Sequence, residues 1–228
     1  MISANFKSRS VDYLDMSDHV SGKVVTLYKG DEYDRDIAAL RYDMPQKFVQ
    51  FALPYIKENL SNKEYQVLEI GAGTGAVSKR LKEAGYAGQI DGIDGSADML
   101  KNASGLYRNQ TVHILSKENP MPYPDCSYDL VVCCCAILPC CIHPDCLEDF
   151  IRVCKKGGLV IFSVDDYSKK FSAVVEQAVD ALAGSIKWKL LERKSVGTFE
   201  DGIHDVSEEV ERYRDGWKYS MIYCFQKL

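Results

Sequence analysis

In VLEIGAGTGA (Val67–Ala76), three glycines stand at alternate positions directly after an apolar run. Glycine adopts turn conformations closed to other residues and lets a ligand approach bare backbone. The N–H groups at a helix start favour an anion or another hydrogen-bond acceptor. Asp94 follows where a ribose-binding acid follows such a turn, about 20 residues on. Together these residues suit a nucleotide-containing cofactor. Gly71-x-Gly73-x-x-Ala76 also satisfies the relaxed dinucleotide pattern, so at this level NAD stands beside other nucleotides. Cys140, Cys141, His143 and Cys146 have short, ligand-like gaps. They lack the paired C-x-x-C arrangement, and Cys133–Cys135 sits in a strand-like run where neighbours face opposite sides. Buried thiols, and no metal, are the expectation.

The surrounding elements must hold those residues in place. Val67, Leu68 and Ile70 predict a short buried strand. Val77, Arg80, Leu81 and Ala84 then recur at helical spacing up to Gly85. So the glycines occupy a strand-to-helix turn. Gln89–Asp94 predicts a second strand, followed by a helix over Ser96–Gly105 capped by Ser96. Thr111–Ser116 predicts a third strand. Tyr128–Leu138, apolar throughout, predicts a central fourth strand. A helix over Asp145–Val153 and a turn at Lys155–Gly158 lead into a fifth strand, Leu159–Val164. A long helix over Tyr167–Ala183 follows, then strands Trp188–Phe199 and Tyr219–Lys227, free to pair antiparallel. Upstream, about Val11 to Leu60 reads as helical: Ile37, Leu40, Met44, Phe48, Phe51 and Ala52 recur at three- and four-residue steps, with Pro45 and Pro54 as helix starts or breaks. This organisation predicts an N-terminal helical lid segment over 1–60 and a core over 61–228, in one compact domain.

A chain of 228 residues can bury one α/β core. Its formal charge of -5 argues against nonspecific nucleic-acid binding. No apolar run approaches the roughly 20 residues of a membrane span, and the first residues lack the apolar centre of a secretory signal. Nine cysteines, an odd number, then read as reduced thiols. The expected setting is cytoplasmic or nuclear, and the expected state a monomer.

Three stretches carry a resemblance. Glu69 completes E-x-G-x-G-x-G, which resembles motif I of class I S-adenosylmethionine (SAM) methyltransferases. PYPDCSYDLVV (Pro122–Val132) resembles their approach to strand four, and RVCKKGGLVIFS (Arg152–Ser163) their turn into strand five. LYKGDEYDRDIAALRYDMP (Leu27–Pro45), GIDGSADMLKNA (Gly92–Ala103) and MIYCFQK (Met221–Lys227) further resemble the methyltransferase-like proteins of the Williams–Beuren syndrome region. The sequence departs from that group at Asp43, where arginine is usual, and at Cys140–His143.

The resemblance implies a Rossmann-like seven-stranded sheet, mostly parallel with the last strand antiparallel, helices on both faces and a helical lid. It implies SAM as cofactor and S-adenosylhomocysteine (SAH) as product. Carried over residue by residue, Gly71, Ala72 and Gly73 pass beside the methionine part, and Glu69 orders the turn or meets the amino group indirectly. Asp94 accepts both ribose hydroxyls. Gly95 and Met99 flank the adenine. Glu118, Asn119 or a backbone carbonyl meets the adenine amine. Cys135 and Ala136 line the methionine end, and Tyr33 covers the sulfonium from the lid. The family has no universal catalytic signature. His143, Asp165, Asp166 and Tyr167 lie where substrate-facing groups lie. No asparagine- or aspartate-proline-proline-tyrosine run follows strand four, which argues against amino-group methylation of nucleic acid and leaves a small molecule or protein as methyl acceptor. A non-catalytic SAM-binding regulator and an NAD enzyme are the alternatives.

Overall fold

A computed structural model describes residues 29–60, 65–86, 88–138, 141–165, 169–200 and 218–228. Its centre is a seven-stranded sheet. In chain order the strands are β1 (Val67–Ile70), β2 (Ile90–Asp94), β3 (Asn109–Val112), β4 (Tyr128–Cys133), β5 (Cys154–Asp165), β6 (Trp188–Gly197) and β7 (Tyr219–Lys227). Their spatial order is β3-β2-β1-β4-β5-β7-β6. Every pairing from β3 across to β5 is parallel, while β7 runs antiparallel to both of its neighbours. The chain builds outward from β1 in one direction and from β4 in the other. That reversal opens a crevice at the carboxyl ends of the strands, the place where such sheets bind ligands.

The helices are α1 (Gly30–Ala39), α2 (Met44–Leu60), α3 (Ala76–Glu83), α4 (Ala97–Asn102), α5 (Leu147–Val153) and α6 (Lys169–Gly184). Successive residues of a strand face opposite layers. Leu68 and Val131 pack in one core with Phe150 of α5 and Val175 of α6. Val67 and Leu130 pack in the other with Phe48 of α2 and Leu81 of α3. Burial on both faces explains why β1 and β4 carry no alternation of polar residues.

Four expectations change against the structure. Pro54 does not break α2: it lies on the exposed side, while Phe51, Ala52 and Ile56 anchor the helix through their burial. The third strand covers Asn109–Val112, because its partner β2 ends where Asp94 pairs with Val112. The fourth stops at Cys133 instead of Leu138, since Cys135 adopts φ 56° and turns the chain away. Lys155–Gly158 is no turn before the fifth strand but part of it, with Gly157 at φ 77° and a register shift against β4 between Tyr128 and Leu130. Among the described residues, no helix is long and apolar enough to cross a membrane.

Candidate functional site

A cavity of about 150 Å³ opens at the carboxyl ends of β1, β2 and β4. Of the residues expected at a cofactor site, Tyr33, Glu69, Gly71, Ala72, Gly73, Asp94, Met99, Cys135 and Ala136 line it. Gly95 and Glu118 do not. The Glu118 side chain is exposed and accepts from Ser116 Oγ at 3.2 Å, held by its own turn. Ile114 and Leu115 supply the wall on that side.

The three glycines serve different ends, although all have positive φ. A Cβ on Gly71 would lie 2.3 Å from Ala136 Cβ, and one on Gly75 would lie 2.4 Å from Leu106 Cδ1. Those two permit protein-on-protein packing. A Cβ on Gly73 would meet only Met99 Cε at 3.4 Å and the Gly71 carbonyl at 3.9 Å. Gly73 is thus the position where bare backbone faces the cavity.

Asp94 closes β2 and presents its carboxylate to the same space. Its Oδ2 accepts from the Gly73 N–H at 2.9 Å and its Oδ1 from the Ser96 N–H at 2.7 Å. Burial pushes this carboxyl above its ordinary value, and the two N–H donors draw it back. Each oxygen retains acceptor capacity for a further donor. Ser96 caps α4 as expected, its side chain accepting from Met99 N. That cap starts the helix where Met99 meets the cavity.

Glu69 is 3 % exposed and anchors the glycine turn to its helix. One of its oxygens accepts from the Ser78 N–H at 3.1 Å, from the Ser78 hydroxyl and from the Tyr107 hydroxyl at 2.8 Å. Burial pushes its carboxyl up to about 7 against the pull of these donors. The turn-ordering role is the one this geometry satisfies.

Across the cavity, the end of β4 meets the N-terminal helices. The Tyr42 hydroxyl donates to Cys135 Sγ at 2.7 Å, and Cys135 N donates to Ser163 Oγ at 2.9 Å. Cys135 Sγ lies 3.7 Å from Asp165 Oδ1 as donor. Asp165 is 3 % exposed, and burial pushes it up to about 6. Burial likewise raises the phenols of Tyr33 and Tyr42. His143 stands apart as a cap of the one-turn helix Pro144–Cys146, its Nδ1 accepting from Asp145 N at 3.3 Å. Asp166 and Tyr167 lie outside the described residues.

The sequence pattern of a methyltransferase domain family matches residues 61–206. This chain belongs to that family. YqeM of Bacillus subtilis, named as a methyltransferase, is 30% identical over 146 residues, covering 60% of this chain and 55% of that protein. The chain spans about half the length of the curated relatives it matches. A solved structure from Thermotoga maritima, titled a SAM-dependent methyltransferase, superposes with a TM-score of 0.56 at 20% identity, over 87% of this chain and 95% of that one. Magnesium protoporphyrin IX methyltransferase from Synechocystis PCC 6803, solved with bound SAM, gives 0.54 at 15% identity, over 100% and 93%. At these identities the methyltransferase structures share the fold.

Of the residues around this cavity, sequence reasoning passed over Tyr42, Ser78, Tyr107 and Ser163. Tyr42 lay inside the Leu27–Pro45 stretch that carried the resemblance, so a signal existed. Ser78 is one turn of helix beyond the glycines, the reach of Glu69. Tyr107 and Ser163 come from distant elements, and no local pattern announces them.

Proposed function

We infer that the chain is a SAM-dependent methyltransferase, with SAH as product, whose cofactor runs along the carboxyl ends of β1, β2 and β4. The observation that carries this reading is the Asp94 carboxylate beside the open backbone of Gly73, between an apolar slot and a turn anchored by Glu69. The residues fit such a cofactor. Asp94 suits the ribose hydroxyls, Met99, Ile114 and Leu115 the flat adenine ring, and Gly95 lends backbone at its edge. Gly71, Ala72 and Gly73 border the methionine part, with Cys135 and Ala136 at its far end and Tyr33 above it. Glu118, Asn119 or a backbone carbonyl near Leu115 meets the adenine amine.

Bound SAM supplies a methyl group already activated on a sulfonium. The chain's residues then bind, orient and exclude water; alignment alone is worth roughly 7–11 kcal/mol. The lid role falls to α1, because α2 is built into the core through Phe48, Ala52 and Ile56. The division at residue 60 is therefore functional more than structural. The finer likeness to the Williams–Beuren group rests on the stretches quoted above. The acceptor is a small molecule or protein, and the working state a monomer in cytoplasm or nucleus.

Calorimetric titration with SAH and with NAD tests the reading. SAH binds and NAD does not, and Asp94→Ala weakens SAH by about 1.5–3 kcal/mol, the worth of hydrogen bonds to a charged group. NAD binding without SAH binding, or an unchanged SAH affinity in a folded Asp94→Ala protein, overturns it.

A further inference from the structure

Tyr42, Cys135 and Asp165 form a hydrogen-bond chain of which cofactor binding, as described, uses only Cys135. The Tyr42 hydroxyl gives its proton to Cys135 Sγ, and the thiol in turn lies 3.7 Å from Asp165 Oδ1, with Ser163 Oγ and Cys134 Sγ at 3.5 Å also in its reach. Because that hydroxyl proton is committed to sulfur, the phenol oxygen presents only lone pairs to the cavity that Tyr42 lines. Cys135 is held in place at some cost: its φ of 56° is unusual for a non-glycine residue, and its N–H is tied to Ser163 Oγ. The carboxylic side chains that line the cavity, among the described residues, are Glu69 and Asp94. No lysine or arginine among the described residues lines it.

We propose that the Tyr42–Cys135–Asp165 chain is a cation-selective wall that makes the donor site prefer a sulfonium over a neutral thioether. This rests on the SAM reading of the site. When the methyl leaves, the carbon–sulfur electron pair returns to sulfur, the positive charge is gone, and the attraction to Asp165 goes with it. The wall therefore holds the substrate form of the cofactor and releases the product form. Asp165 acts through Cys135 and is a positioning residue, while Tyr42 and Cys135 touch the cavity.

The charge that matters is the Asp165 carboxylate. Facing it are Cys135 from the end of β4, Tyr33 and Tyr42 from the N-terminal helical segment, and Ser220 from β7. Burial raises Cys135, Tyr33 and Tyr42, keeping them neutral at physiological pH. Asp165 itself, pushed up to about 6, changes charge in an accessible range.

The test is the affinity ratio between SAM and SAH, which share every group except the charged methyl-sulfonium. Sinefungin, which carries an amine at the methyl position, is the second cationic probe. In the wild-type protein SAM and sinefungin bind more tightly than SAH at pH 7.5, and the advantage shrinks as pH falls through about 6. Asp165→Asn lowers the SAM-to-SAH ratio on the order of tenfold, flattens its pH dependence and leaves SAH affinity near wild type. Tyr42→Phe lowers the ratio as well, and supplies the same readout should Asp165→Asn not fold. An unchanged ratio in the folded variants overturns the proposal, as does an equal loss for SAM and SAH, which marks mere structural support. Failure of the wild-type protein to bind SAH at all overturns the SAM reading and this proposal together.

Discussion

Gly71 and Gly73 look alike in the sequence and act differently. At Gly71 an added methyl meets Ala136 at 2.3 Å, whereas at Gly73 it enters the cavity. Both positions have positive φ, which costs an L-residue about 1–2 kcal/mol. Overpacking at Gly71 adds about 1–3 kcal/mol more. So Gly71→Ala destabilises more than Gly73→Ala in urea unfolding. Gly73→Val removes SAH binding from a protein that still folds, because the branched side chain occupies the ligand's path. Full SAH affinity in folded Gly73→Val shows that the ligand takes another route.

Among the described elements, α1 is held in part by polar, partly solvated ties: Gly30 N to Asp98 Oδ2 at 3.2 Å, Thr74 Oγ1 to Asp34 Oδ1 at 2.7 Å, and Asn102 Nδ2 to Asp31 Oδ1 at 2.8 Å. Only Gly30 and Asp36 within it are buried. The cavity beneath, about 150 Å³, is smaller than the roughly 300–1,000 Å³ of small-molecule clefts. We expect α1 to move as a cofactor enters, and contacts with the ligand then to offset its ordering. Hydrogen exchange is expected to show fast opening across Gly30–Ala39 without ligand and strong protection with SAH, with α2 protected in both states. Full protection of α1 without ligand identifies it as a permanently docked helix.

At the scale of the molecule, three buried carboxyls make stability depend on pH in an unusual direction. Glu69 titrates at about 7 and Asp165 at about 6 in the folded protein, and Asp94 also lies above its ordinary value, all three raised by burial. The folded state therefore holds these protons when the unfolded chain has released them, and stability falls as pH rises. For Glu69 the contribution is complete below its ordinary value of 4.5 and is lost by about 7. The loss is on the order of 3 kcal/mol. Asp91 opposes it: Arg108, Tyr128 and Asn109 outweigh burial and hold its carboxyl low, so its contribution fades only in acid. Urea unfolding of wild type and Glu69→Gln from pH 4.5 to 7.5 separates these effects. Relative to the variant, wild type loses stability across that range; a constant difference means that Glu69 is ionised throughout.

The sequence by itself determined the order of strands and helices, the glycine turn after β1 and the acid ending β2. Each is a local matter: a run of apolar residues, a helical repeat, a cap at Ser96, a fixed spacing to Asp94. It also marked Glu69 as part of the turn. Only the tertiary structure decided which glycine faces the cavity, because that depends on Ala136 and Leu106 from other elements. Strand ends followed partners and not propensity, as β3 stops with β2. Glu118 read as a binding residue from its place after the third strand, yet its side chain turns back to Ser116. The Tyr42–Cys135–Asp165 chain joins three segments that are far apart along the polypeptide. No spacing rule could anticipate it, since its geometry exists only once the sheet brings the ends of β4 and β5 side by side beneath the N-terminal helices.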